Sequence, residues 1–310
     1  MHLHPTLQRL GISKPIFQAP IGGVASPELA AAVSEAGGFG QLACTWRSVE
    51  QLDALFRRMA SLTSRPYGVN FVLDFPIEAK LEVALAHKVA AVSFFWGDGS
   101  AYVDRVKAAG ALAIQVAGSI AEAERSAAAG FDLIVAQGFE AGGHVRGGLG
   151  LMALLPQVVD AVAPIPVLAA GGIADARGVA AALALGANGV WVGTRFLAAD
   201  EANIHRVYRE RVLASSGDDS VYSTLYDVGW PNAPVRSLRN GTLARWQAAG
   251  EPRAPDRPGE GDVVYHFSAP TCDVIGAAEE MALYAGGAVG LVRSQMPATA
   301  IVDEPAAGIA

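Results

Sequence analysis

Over the first two-thirds of the 310-residue chain, eight short β-rich runs alternate with seven Ala-rich runs of helical spacing. The first pair is Pro15 to Pro20, then Pro27 to Ala36, with Ser26 as N-cap, Pro27 at the first helical position and Gly37-Gly38 as the stop. The later strand runs are Phe39 to Ala43, Tyr67 to Leu73, Val89 to Phe95, Ala111 to Val116, Asp132 to Ala136, Pro166 to Ala169 and Gly189 to Val192. Helical runs follow them from near Ser48 and over Ile77 to His87, Ala101 to Ala109, Ile120 to Ala129, Leu151 to Val162 and Asp175 to Leu185. This rhythm predicts an α/β protein whose core is a closed (β/α)8 TIM barrel. A doubly wound open sheet also alternates, but it seldom needs so many units, and no G-x-G-x-x-G follows the first run.

From about Asp200 the rhythm stops. Ile204 to Ala214 reads as a helix, and Ser215 to Pro270 mixes aromatics, Pro, Gly and charge without repeating the βα unit. We expect a smaller, mostly helical substrate-covering module over residues 204–272, inserted near the C-terminus of a barrel made of 1–203 and 273–310. Cys272 to Gly290 is expected to be helical and Pro297 to Ala310 to be loose.

Composition narrows the partners. Apolar residues are 52% and charged residues 17%, which excludes a disordered chain. A net charge of -7 argues against nucleic acid or an anionic membrane surface. The longest uncharged stretch, Gly178 to Thr194, is shorter than the ~20 residues of a membrane span and is interrupted at Gly186 and Gly189. No secretory signal opens the chain, so a cytoplasmic location is expected. Two cysteines, Cys44 and Cys272, are too few for a disulfide framework.

In a barrel, chemistry sits at the strand C-termini and the loops that follow. Here those positions carry many glycines and few charges. The last two loops, Ala169-Ala170-Gly171-Gly172-Ile173 and Val192-Gly193-Thr194-Arg195, stand where barrels commonly hold a phosphate. Backbone N–H groups and the Thr194 hydroxyl are suited to phosphate oxygens, with Arg195 adding charge nearby. His144 lies in the loop Gln137 to Gly150 with glycine on its N-terminal side, a placement suited to proton transfer near neutral pH. Glu140 is better read as pairing with Arg146 or capping a helix, Asp175 as an N-cap, and Cys44 as buried filler. No metal site is expected, because Asp98, Glu140 and Asp175 sit on separate loops and no HExxH spacing occurs. One titrating group and a phosphate grip require a bound cofactor to supply most of the reactivity.

The chain resembles the nitronate monooxygenase family (formerly 2-nitropropane dioxygenases), FMN-containing barrels with an added substrate domain. The resemblance rests on Gln18 to Gly23 with Ser26 to Val33, on Gly68-Val69-Asn70, Val92 to Gly97, Gln137 to His144, Leu154 to Asp160, Ala169 to Ile173, Gly193 to Phe196 and Gly286 to Leu291. It implies that Asn70 and Gln137 hydrogen-bond the flavin and that Ala19, Pro20, Ile21 and Gly22 pass along one edge of its ring. Gly142, Gly143, Gly171, Gly172, Val192, Gly193 and Thr194 are implied to hold the phosphate end of FMN, and His144 to be the catalytic base. The implied substrates are a nitronate or nitroalkane and O2, with a carbonyl compound and nitrite as products. Trp96, Phe139, Tyr222 and Trp230 are expected to line an apolar pocket. The family's Gly-His-Arg-Gly is interrupted here by Val145, which displaces Arg146 by one position. Nothing in the sequence fixes the oligomeric state, and a homodimer is compatible with it.

The alternative is an NAD(P)H-dependent flavin reductase on the same scaffold, acting on an enoyl-acyl-carrier or a quinone. An inosine-monophosphate dehydrogenase-like reading needs a loop cysteine, and none occurs between Gln137 and Gly150.

Overall fold

The computed structural model describes residues 3–253 and 265–309. Its main sheet has eight parallel strands: β1 (Ile16–Gln18), β2 (Gln41–Ala43), β3 (Gly68–Val72), β4 (Ala91–Phe95), β5 (Leu112–Ala117), β6 (Leu133–Gln137), β8 (Val167–Ala170) and β9 (Gly189–Val192). The short β7 (Gly143–His144) belongs to a second sheet. Around the main sheet the order is β1-β9-β8-β6-β5-β4-β3-β2. The ring closes through a parallel bridge between Phe17 and Phe39, where Gln18 N–H donates to the Phe39 carbonyl at 3.0 Å and Phe39 N–H donates to Ile16 at 2.9 Å. The fold is a TIM barrel, as the alternation predicts.

Two apolar layers hold it. Inside the ring, Phe17, Phe39, Ile114, Val116, Leu133, Val135, Leu168 and Trp191 pack together. Leu7 and Leu10 join them beneath the strand N-termini, one being in α1 (Pro5–Gln8) and the other just after it. Outside it, helices α2 (Pro27–Glu35), α3 (Val49–Leu62), α4 (Glu78–Ala86), α5 (Val103–Ala108), α6 (Ile120–Ala128), α7 (Leu151–Val162) and α8 (Ala176–Ala184) bury their apolar faces on the strands. Their starts are fixed locally. Ser26, Ser48, Ser119 and Asp175 each accept a backbone N–H of the first turn, as N-caps do.

Residues 204–272 carry α9 (Arg206–Ala214), α10 (Gly241–Ala248) and two strands, β10 (Ser220–Ser223) and β11 (Val235–Leu238). The strands pair antiparallel with each other, and β11 continues onto β7, with Val235 opposite His144. The reading at 254–264 lies outside the described residues. Among those described, no helix is long and apolar enough to cross a membrane.

Two expectations fail. Cys272 to Gly290 is not a helix. It holds only a 3-10 turn at Ala278–Glu280 and the start of a short 3-10 helix, Gly287–Leu291, because Gly276 and Gly286 interrupt a continuous helical run. The tail is not loose either. α11 (Ala298–Ala306) packs on α2 and α8 with Ile301 and Val302 fully buried. Removing such a side chain from water stabilises the docked helix by about 1.5–3 kcal/mol.

Candidate active site

A cavity of about 600 Å³ opens at the C-terminal ends of the strands. It is within the usual range of ligand sites, roughly 300–1,000 Å³. Of the positions singled out in the sequence, Ala19, Pro20, Ile21, Gly22, Asn70, Gln137, Gly142, Gly143, His144, Gly171, Gly172, Gly193 and Thr194 all line it. Val192 does not. Its side chain is buried in the core and its carbonyl accepts the Ala19 N–H at 2.8 Å, so it holds the Ala19 turn in place from behind.

One end of the cavity is backbone. Gly143, Gly171 and Gly172 have φ of 73°, 101° and 72°, in the left-handed region that side-chain-bearing residues avoid. A Cβ at Gly193 would meet only Ala19, at 3.6 Å, so the space beside this glycine is open. Thr194 Oγ1 accepts the Gly286 N–H at 2.9 Å, which leaves the hydroxyl hydrogen to donate. Such a cradle fits a phosphate. Arg195 does not contribute to it. The residue after Thr194 faces the other way, and its buried guanidinium donates to Glu304 at 3.0 Å and to the Ser294 carbonyl at 3.1 Å.

The amides are oriented by their partners. Asn70 Nδ2 donates to both the carbonyl and the hydroxyl of Ser93, at 3.2 and 3.0 Å, so its Oδ1 is the atom left to accept. Gln137 Nε2 donates to the His144 carbonyl at 3.0 Å while its Oε1 accepts the Arg146 N–H at 2.9 Å. Gln137 thereby clamps both sides of the inserted Val145, which is fully buried. Arg146 is turned away from the cavity. It pairs with Glu122 at 2.8 Å and lies over the Trp96 ring. Both Glu140 carboxylate oxygens accept the Leu151 N–H, so Glu140 caps α7 instead of exchanging protons.

His144 is held by one bond and a cage of rings. Its Nδ1 lies 3.1 Å from the Ala233 carbonyl, which can only accept, so Nδ1 carries the hydrogen and Nε2 the lone pair. Nε2 is buried without a partner. The Trp230 ring stands 3.9 Å away, with Trp96 and Tyr284 at 5.8 Å and Phe267 at 6.4 Å between centroids. Burial among these rings disfavours the imidazolium and pushes the pKa down to about 3, outweighing the opposite effect of the Ala233 carbonyl. His144 is therefore neutral at physiological pH. Cys44 is the filler it was read to be, with burial pushing its thiol up to about 12.

The apolar lining differs from expectation. Trp230 lines the cavity, tethered by its Nε1–H to Asp74 at 2.8 Å. Trp96 stands behind His144 beside a smaller cavity, and Phe139 and Tyr222 stack with Arg236 elsewhere. Trp46, Phe267, Met281, Tyr284 and His266 line the cavity and were not foreseen. Only their position near strand ends or in the aromatic-rich 215–290 stretch could have signalled them.

Comparison with known proteins agrees with this geometry. The chain resembles a FabK structure from Thermotoga maritima at a TM-score of 0.89 and 30% identity, over 99% of this chain and 96% of that one. A nitroalkane oxidase from Streptomyces ansochromogenes matches at a TM-score of 0.84 and 32% identity, over 98% and 97% of the two chains. The sequence model of the nitronate monooxygenase family matches residues 4–79 and 75–306, and the chain belongs to that family. The family and the relatives it contains define a flavin-dependent oxidoreductase. A nitronate monooxygenase of Paraburkholderia phytofirmans is 33% identical over 96% of this chain and 93% of its own length.

Proposed function

We propose that the protein is an FMN-dependent nitronate monooxygenase that oxidises alkyl nitronates, and the nitroalkanes from which they form, to carbonyl compounds and nitrite with O2. The observation that carries this is the buried, unpartnered Nε2 of His144 in the wall of a cavity with a glycine cradle at one end. The cradle of Gly142, Gly143, Gly171, Gly172, Gly193 and Thr194 suits the phosphate of FMN. Asn70, Gln137 and the turn Ala19 to Gly22 suit the polar edge of its ring. When bound, FMN supplies the electron acceptor for nitronate oxidation and the path of those electrons to O2.

The chain's own residues do the rest. His144 Nε2 accepts the α-proton of a neutral nitroalkane, its lone pair kept free because Nδ1–H is committed to Ala233. A nitronate has already lost that proton and needs no base. Trp230, Phe267 and Tyr284 keep water from the reacting carbon. A second reading, an NAD(P)H-dependent flavin reductase, is favoured by the likeness to FabK.

One anaerobic experiment separates them. The protein is loaded with FMN and mixed with propyl-2-nitronate and, separately, with NADH. Bleaching of the yellow colour by the nitronate is expected. Bleaching by NADH alone establishes the reductase, and a protein that takes up no FMN removes both readings.

A further inference from the structure

A second imidazole faces the cavity. His266 lines it together with His144, and both rings lie against Phe267, at 4.3 and 6.4 Å between centroids. Their tautomers are opposite. The Ser268 backbone N–H donates to His266 Nδ1 at 3.2 Å, and Ser268 Oγ lies 2.9 Å from the same atom. A backbone N–H can only donate, so Nδ1 holds the lone pair and the neutral ring carries its hydrogen on Nε2. No described residue accepts from that Nε2–H. Gly229 packs beside this edge without a side chain, since a Cβ there would stand 3.3 Å from Nε2 and 3.0 Å from Phe267 Cε1. Partial burial keeps the His266 pKa below the ordinary imidazole value, consistent with the neutral form.

The cavity's charge balance points to a use for this donor. Among the described residues that line it there is no Lys and no Arg. The oxygens of a nitro group or nitronate therefore find no ion-pair partner and must be met by N–H or O–H groups. We propose that His266 is the donor that seats a substrate oxygen through Nε2–H, complementing the bare Nε2 of His144 that takes the carbon-bound proton. The role rests on the proposed function for the nature of the substrate, but not for the existence of the donor.

The test compares H266Q, whose amide N–H reaches the Nε2 position, with H266L and H266N, which place no donor there. All are loaded with FMN. Nitrobenzene, which has nitro oxygens and no α-hydrogen, reports binding by calorimetry, and propyl-2-nitronate reports turnover. Loss of a neutral hydrogen bond weakens nitrobenzene binding about three- to tenfold, and loss of one to an anion lowers kcat/KM for the nitronate about 10- to 100-fold. H266Q stays within about threefold of wild type in both, as the retained donor requires. H266N supplies the comparison if H266L does not fold. Wild-type binding and turnover in H266L or H266N overturn the proposal. If the wild type oxidises no nitronate while nitrobenzene binding still depends on His266, the nitronate reading fails and the donor stands.

Discussion

On the barrel side of the cavity the wall is backbone, with Gly143, Gly171, Gly172 and Gly193 presenting peptide groups without side chains. On the side contributed by residues 230–284 it is side chain, with Trp230, Phe267, Met281 and Tyr284 presenting rings and a thioether. The first surface suits a ligand that is the same in every turnover, because peptide N–H groups sit at positions fixed by the barrel. The second suits a variable apolar partner, because side chains can be exchanged without disturbing the strands. His144 stands where the two meet, on β7 at the edge of the cover's own sheet.

The division can be broken by mutation. Replacing His144 by Ala should lower kcat/KM for a neutral nitroalkane about 10²-fold, the low end for a general base because burial makes this imidazole a weak one, in steady-state assays. Turnover of a preformed nitronate should fall far less, and equal losses on both would remove the proton-transfer role. Gly193→Leu fills the backbone end, and overpacking worth about 1–3 kcal/mol should weaken FMN retention by one to two orders of magnitude. The visible absorbance of the purified protein reads this directly, and undiminished colour would refute the cradle.

On the opposite wall, Trp46→Ala should raise KM for apolar nitronates about two- to tenfold, the worth of one aromatic contact, with FMN content unchanged. Trp46 is 42% exposed, so little stability should be lost. Smallest of all is the expected effect of pH. With His144 held at about 3, kcat/KM for a nitroalkane should show no acid limb from this base between pH 5 and 8. Stability should behave differently. The unfolded imidazole, with a pKa of about 6.5, binds a proton that the folded one refuses, so this contribution is complete above about 6.5 and is lost as pH falls toward 3. Urea titrations across that window check the sign.

The backbone wall was legible in the sequence and the side-chain wall was not. Glycines at strand ends announce close approach wherever a βα repeat says which end is which, so Gly171, Gly172 and Gly193 could be placed by counting units. Trp46 follows β2 and could have been placed by the same counting, but Phe267 and Tyr284 carry no such register. The later two lie in a stretch without periodicity, and their role depends on a β11–β7 pairing that local pattern cannot reveal. Arg195 was misread because adjacency to a glycine loop does not fix which way a side chain turns, and Glu304 of a distant helix decided it. That helix did leave a trace. Ala298, Ile301, Val302 and Pro305 follow helical spacing, a signal outweighed by the proline and the terminal position.

Hydrogen-bonding the base to the cover has a mechanical corollary. Because Val235 and Arg236 pair with His144 and Gly143, any motion that peels the 220–238 hairpin outward drags the imidazole with it. The same hairpin carries Ala233, whose carbonyl holds His144 Nδ1, so ring and roof are one mechanical piece.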